Sequence, residues 1–180
     1  LFIYIFVTLA LIVVLIIWYT NNNNKKHTQV SDSFIEAQIL LDKGKNNEAK
    51  DLLSNLVFKK NSPYSSLSLF LIIEHKLIDN KDTVINYFDE VMNNNSFKDE
   101  DLNLLKLKKA IYISDISKEQ EIIKLLNPII NSNSVWRSHS LKFLGDFYYS
   151  NGQQQKAKQY YSTLSENQEI PTSGFSGKID

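Results

Sequence analysis

An unbroken apolar stretch opens the chain and constrains its folding more than any other feature. Residues 1–19 read LFIYIFVTLALIVVLIIWY, and every charged residue lies after them. As a helix this stretch would be about 28 Å long, close to the roughly 30 Å hydrocarbon thickness of a bilayer. Tyr4 lies near one end, and Trp18 and Tyr19 lie at the other, where aromatic belts meet the membrane surface. We therefore predict a transmembrane helix over residues 1–19.

Two alternatives to this anchor stay open, a cleaved signal peptide and a buried core helix. The apolar part of a signal peptide is about 7–15 residues long and ends in small residues. The stretch here is longer and ends in Trp18-Tyr19-Thr20-Asn21, which favours an uncleaved anchor. Lys25 and Lys26 follow the span, and by the positive-inside tendency this pair weakly favours a cytoplasmic body.

The composition and motif content exclude several classes of function. The 20 basic and 20 acidic residues cancel, so no dense basic face indicates nucleic acid as a partner. Cysteine is absent, which excludes disulfides and thiolate chemistry. His27, His75 and His139 lack metal-ligand spacing, and we find no Walker, G-x-G-x-x-G or kinase motif. We expect no enzyme activity, no cofactor, no metal site and no small-molecule substrate.

The body of the chain has the pattern of an all-α protein. Apolar residues recur at i, i+3 and i+4 between short polar breaks, which predicts eight helices and no strands. Ser33 with Glu36 and Ser117 with Gln120 have capping-box spacing, and the acids at 99–101 fit the first turn of a helix. We divide the chain into the anchor 1–19, a polar linker 20–29, a repeat domain 30–168 and a tail 169–180.

A repeat of helix pairs organises the predicted domain. The clearest unit contains Leu141, Leu144, Gly145, Tyr148, Gly152, Ala157 and Tyr161. These residues match the tetratricopeptide pattern, in which small residues let the two helices of a hairpin approach closely. Gly44 and Ala49 repeat the interval from Gly152 to Ala157, and turns at 44, 79, 117 and 152 recur near the roughly 34-residue period of that repeat. We predict about four stacked hairpins in a right-handed α-solenoid, with an unrelated helical bundle as the alternative.

A concave face lined by the first helix of each hairpin is the expected binding surface of such an array. The predicted surface is mostly apolar, which suits an apolar segment of polypeptide. The alternative is that the register slips in the second and third hairpins, so that their apolar residues are core. The predicted groove residues are Phe34, Gln38, Leu41, Leu69, Ile73, Lys76, Leu107, Ile111, Lys142, Asp146 and Tyr149.

The order of parts, an N-terminal span, a polar linker and about four degenerate repeats, resembles a bacterial family. The closing segment, with Val135-Trp136-Arg137, Leu144-Gly145, Asn151-Gly152, Ala157 and Tyr161, is similar to the last repeat of the YfgM-like ancillary subunit of the SecYEG translocon. Pro63-Tyr64, Phe34-x2-Ala37, Gly44 and Glu48-Ala49 also look like that family's pattern. The chain departs from the family after Pro171, where a closing helix is expected.

This resemblance implies a single-pass protein of the bacterial inner membrane with a periplasmic body. It also implies the translocon and a periplasmic chaperone as protein partners. We expect a membrane-tethered adaptor or chaperone-like subunit that binds polypeptide. The alternative is a scaffold subunit of another envelope complex, in which the apolar face is permanently occupied.

Overall fold

The described part of the chain is all-α, as predicted. The computed structural model describes Leu15, residues 28–94 and residues 96–168, and every regular element in these parts is an α-helix. Residues 28–42 are helical and are named α1. The helices that follow are α2 (Asn46–Val57), α3 (Ser62–Glu74), α4 (Lys81–Asn94), α5 (Asp99–Ile113), α6 (Glu119–Ile130), α7 (Arg137–Ser150) and α8 (Gln154–Gln168).

The predicted membrane span is not covered by the described residues. Leu15, which is helical, is the one described position within 1–19, and the tail 169–180 also lies outside the description. Across the residues that are described, none of the helices combines the length and apolar character needed to cross a bilayer. Thr28 and Gln29, expected at the end of the linker, are helical.

The chain divides into two compact units at the α4–α5 connection, where the sequence predicts one repeat domain. The first unit is Leu1–Ser96 and contains α1 to α4, and the second is Phe97–Asp180 and contains α5 to α8. Each unit therefore contains two consecutive pairs of helices.

In the first unit, the leading helices of the two pairs lie side by side and parallel. Near their starts, the Tyr64 hydroxyl donates a 2.9 Å hydrogen bond to Ser31 Oγ across 33 positions of sequence. The rings of Phe34 and Tyr64 are 5.4 Å apart. Near their ends, Asp42 of α1 and His75 just after α3 line the same hollow. Residues of α1 and α3 that lie 33 positions apart in sequence therefore lie next to each other.

In the second unit, helices that are two apart in sequence also contact each other near their starts. At the starts of α5 and α7, Ser134 Oγ donates a 2.6 Å hydrogen bond to Glu100 Oε2, and Trp136 Nε1 donates a 3.0 Å bond to the Glu100 carbonyl oxygen. At the starts of α6 and α8, Lys156 Nζ lies 2.8 Å from Glu119 Oε1. Helices two apart in sequence thus begin side by side.

Two glycines close their hairpins with the same backbone motif. Gly44 and Gly152 have φ values of 71° and 73°, a left-handed conformation that residues with a side chain rarely adopt. The glycine N–H donates to the carbonyl three residues earlier, at 2.9 and 3.0 Å, and the next N–H donates to the carbonyl five residues earlier, at 2.9 Å in both. This is the Schellman motif that ends a helix, so the equivalence predicted for these two turns is confirmed.

The corresponding turn of the second hairpin is at Lys76, so the prediction that placed it at Asp79 is wrong. Lys76 has a φ of 49°, and the Leu77 N–H donates a 3.0 Å bond to the Ile72 carbonyl in the same motif. The helix that follows begins at Lys81, five positions after Lys76, whereas α2 begins two positions after Gly44. The loop after Lys76 is therefore three residues longer than the loop after Gly44. Because the prediction did not include this difference, it assigned the repeat positions of α3 in the wrong register.

The predicted helix starts are partly correct. Asp99, Glu100 and Asp101 lie in the first turn of α5, as expected. The capping boxes are wrong, because Ser33 lies inside α1 and the residue that caps α6 is Lys118, with no side-chain hydrogen bond. Packing of the apolar face can set a helix boundary without a side-chain cap.

The interior of each unit is built from apolar side chains at the helical spacing of the sequence. The first unit buries Ala37, Ala49, Leu53, Ile72, Val84 and Phe88, and the second buries Ala110, Ile113, Ile122, Leu126, Leu141, Leu144, Tyr148 and Ala157. The hydrophobic pattern of the repeats therefore predicts the core well, even where the turns between helices differ.

Candidate protein-binding surfaces

The last hairpin is held together by a close contact between a glycine and an aromatic ring. A Cβ atom added to Gly145 of α7 would lie 2.7 Å from Cδ1 of Tyr161 on α8, too close for two carbon atoms. Beside this contact, Tyr148 is buried and stacks on Tyr160 with ring centroids 5.4 Å apart and planes 5° apart. The predicted close approach at Gly145 is confirmed.

A carboxylate at the start of α6 ties that helix to the last hairpin. Glu119 Oε1 accepts a 2.8 Å hydrogen bond from the Tyr148 hydroxyl and another of 2.8 Å from Lys156 Nζ. These bonds, from Lys156 first and then Tyr148, lower the pKa of Glu119 below its ordinary value of 4.5. Burial, followed by the bond to Glu119, raises the pKa of Tyr148. The cluster serves to fix the structure of the second unit.

We expect Glu119→Gln to weaken the protein at neutral pH and to have little effect in acid. A lowered carboxylate pKa stabilises the fold above the unfolded-state pKa, and this contribution is lost as pH falls through the folded-state value. Because the side chain is 38% exposed, screening limits the expected loss at pH 7 to about 0.5–1 kcal/mol. Urea unfolding at pH 7 and pH 3 measures it, and an equal loss at both pH values would contradict the assignment.

An open groove lies between α1 and α3 of the first unit. It has a volume of about 330 Å³. Its walls combine apolar side chains with three polar groups that can hydrogen-bond to a ligand. We call this surface the α1–α3 groove, and its lining residues are Ile35, Gln38, Ile39, Leu41, Asp42, Leu71 and His75.

Large apolar side chains of the groove are in contact with solvent. Ile35 is 50% exposed and Ile39 is 46% exposed. Leu67, one helical turn before Leu71 on α3, is 43% exposed. Single exposed apolar residues are ordinary, but here two isoleucines lie one turn apart on α1 and an exposed leucine lies on the neighbouring helix α3.

The predicted groove residues of the first unit fall into two groups. Gln38 and Leu41 line the α1–α3 groove. Leu69 is fully buried and Phe34 is 8% exposed, so these two side chains pack in the interior and the prediction that they line an open face is corrected. Ile73 is half-buried, and Lys76 is exposed in the turn after α3.

In the second unit, the predicted groove residues of α7 are all exposed. Of the two on α5, one is buried and one is exposed. Leu107 is 5% exposed and belongs to the core, a second correction, whereas Ile111 is 48% exposed. Lys142 Nζ lies 2.6 Å from Asp146 Oδ2, and the Tyr161 hydroxyl donates a 2.7 Å bond to Asp146 Oδ1. These bonds, from Lys142 first, lower the pKa of Asp146.

Tyr149, the last predicted groove residue, borders a second hollow. It is 65% exposed. The hollow has a volume of about 600 Å³, and apart from Tyr149 its lining comes from α8, namely Gln154, Ala157, Lys158, Tyr161, Ser162 and Ser165. The hollow contains no large aliphatic side chain, whereas the α1–α3 groove is lined by two isoleucines and two leucines.

Five groove residues were missed by sequence reasoning, namely Ile35, Ile39, Asp42, Leu71 and His75. On α1 the repeat register favours the flank that contains Phe34, while Ile35 and Ile39 lie one position further round the helix. One signal in the sequence could have identified these two residues. Ile35 and Ile39 are apolar, lie one helical turn apart and do not belong to the predicted core positions. On α3, the turn was predicted at Asp79 and lies at Lys76. The resulting wrong register did not assign Leu71 and His75 to the groove.

Among the described residues, no group of three or more histidine, aspartate or glutamate side chains could hold a metal ion. Comparison with known proteins gives no relative by which to classify the chain. No protein-family profile, curated protein or solved structure gives a significant match to it.

Proposed function

We propose that this chain is a membrane-tethered, protein-binding adaptor or chaperone-like subunit. In this proposal, residues 1–19 anchor it and about four tetratricopeptide-like hairpins form a right-handed solenoid. The observation that carries the proposal is the α1–α3 groove, where exposed isoleucines lie between two parallel helices. Tetratricopeptide-like stacking is supported by the 33-residue offset between α1 and α3 and by the matching turns at Gly44 and Gly152.

The chemistry of the groove favours a polypeptide ligand. Ile35 and Ile39 supply an apolar strip that can pack against the side chains of a helix or an extended segment. Gln38, Asp42 and His75 supply hydrogen-bonding groups at its border. A peptide presents both features together, since apolar side chains alternate with backbone N–H and C=O groups.

The cellular setting proposed here follows from the sequence resemblance. The likeness to the YfgM-like ancillary subunit supports a bacterial inner-membrane protein with a periplasmic body beside the Sec translocon. Exported chains or a periplasmic chaperone are then the proposed partners. Tethering raises the effective concentration of the groove near the translocon, so modest affinity for each segment is sufficient.

A scaffold role in another envelope complex is the second candidate. It is favoured by the same exposure of Ile35, Ile39 and Leu67, because a permanent partner would cover such a patch. The two functions differ in reversibility. An adaptor binds and releases peptides, whereas a scaffold subunit remains in one stable complex during purification.

We expect Ile35→Asp combined with Ile39→Asp to weaken the binding of an apolar peptide at least about tenfold, because two charges replace the apolar strip. Fluorescence anisotropy with the full chain in lipid nanodiscs measures this. The matched control is Ile116→Asp with Val135→Asp, two side chains of the second unit that are 50% and 69% exposed and do not line the groove. Equal affinity in the groove variant and the wild type would contradict the proposal.

A further inference from the structure

We infer that the α1–α3 groove selects polypeptide segments whose apolar residues are flanked by lysine or arginine. This inference rests on the proposed function and adds the chemical class of the ligand. It follows from the charges of the two helices that form the groove, which differ from those of the chain as a whole.

The groove helices carry acids and no basic residues. Residues 28–42 contain Asp32, Glu36 and Asp42, and α3 contains Glu74, while neither helix contains lysine or arginine. The whole chain, in contrast, has 20 basic and 20 acidic residues. The two groove helices therefore carry a local excess of negative charge.

The carboxylates are placed at the borders of the apolar strip. Asp32 precedes Ile35 by three positions and Asp42 follows Ile39 by three, so all four residues lie on one face of α1. Asp42 itself lines the groove. On α3, Glu74 follows the groove residue Leu71 by three positions. An apolar centre with carboxylates at both ends matches a ligand with the complementary order.

The acids of the groove helices are exposed, and the positive groups near them lie in the flanking turns. All four carboxylate residues are exposed, and within the described chain none of them takes part in an ion pair. Lys43, His75 and Lys76 follow the two helices at one end of the groove. At the other end, Asp32 and Glu36 lie on α1, and Lys59 and Lys60 precede α3.

The helix dipoles add to this field at the Asp42 end of the groove and oppose it at the Asp32 end. Because α1 and α3 are parallel, their C-terminal ends lie at the same end of the groove, and each carries a partial negative charge. Asp42 and Glu74 are at these ends. From Asp32 to Asp42, the strip is about 15 Å long at 1.5 Å per helical residue, which about five extended residues can cover.

Three peptides with one apolar core test the inference. The core is Leu-Ile-Leu, and it is flanked on both sides by two lysines, two serines or two glutamates. The full chain is reconstituted in nanodiscs of zwitterionic lipid, and binding is measured by fluorescence anisotropy against empty discs. We expect the lysine-flanked peptide to bind about three- to tenfold more tightly than the serine-flanked one, and the glutamate-flanked peptide to bind least. Raising the salt to about 1 M should reduce these differences.

Charge-neutral variants of the groove identify the source of the preference. Asp32→Asn with Asp42→Asn should bring the lysine-flanked peptide to within about twofold of the serine-flanked one. The control Asp51→Asn with Asp79→Asn, which removes two exposed acids outside the groove, should keep the preference. Persistence of the preference in the groove variant would overturn the inference.

The remaining outcomes separate this inference from the proposed function. Equal binding of all three peptides to the wild-type chain would leave the adaptor function standing and overturn the ligand class. Failure of every peptide to bind would overturn both.

Discussion

Phe88→Ala is expected to lower the free energy of unfolding by about 3–5 kcal/mol. Phe88 of α4 is fully buried in the first unit, so truncation removes apolar contacts and leaves a cavity that the surrounding helices fill only in part. Urea unfolding followed by circular dichroism measures the loss.

The matched control is the same substitution at an exposed phenylalanine. Phe58 is 50% exposed and touches the ring of Tyr87 edge to face, with centroids 5.3 Å apart. We expect Phe58→Ala to cost about 1 kcal/mol, mainly from this aromatic contact. Similar losses for the two variants would mean that Phe88 is not in a packed core and would contradict the described fold.

Gly145→Ala is expected to destabilise the protein when residue 161 is tyrosine and to stabilise it when residue 161 is alanine. In the wild-type chain, the added methyl group meets the Tyr161 ring, and overpacking of this kind costs about 1–3 kcal/mol. When Tyr161→Ala has removed the ring, the methyl group has space. Gly145→Ala should then stabilise α7 by about 0.5–1 kcal/mol, since alanine favours a helix over glycine.

A double-mutant cycle measures this coupling. The wild type, the two single variants and the double variant are unfolded in urea under the same conditions. Tyr161→Ala alone also loses the hydrogen bond to Asp146. This loss occurs equally in the single and the double variant, so it cancels from the coupling free energy. If Gly145→Ala were destabilising by the same amount in both backgrounds, the close approach of α7 and α8 at this point would be wrong.

The sequence predicted the fold class and the close contacts of the last hairpin because these depend on local patterns. Apolar spacing reports a helix directly, and Gly145 with Tyr161 has the small and large residues that a tight helix pair needs. Gly44 and Gly152 were found as turns because the left-handed conformation favours glycine. Lys76 has the same role without a glycine, so its turn had no compositional signal.

The open surface was predicted less well than the core. On α3, nearly every residue from Leu67 to Ile73 is apolar, so hydrophobicity alone could not separate Leu69, which is buried, from Leu67, which is exposed. Leu107 of α5 was misplaced in the same way. On α7, where polar and apolar residues alternate with the helical period, the predicted groove residues Lys142, Asp146 and Tyr149 are exposed, and Tyr149 borders a hollow.

Site-specific photocrosslinking in intact membranes tests the central claim most directly. A photoreactive amino acid replaces Ile39 in the α1–α3 groove or, as the control, Asp51, which is exposed on α2. A precursor of known sequence is arrested in the translocon, and crosslinked products are identified by mass spectrometry. We predict that the probe at position 39 crosslinks to apolar segments of the arrested precursor and that the probe at position 51 does not. Crosslinking to the precursor from neither position, or from both equally, would contradict the account.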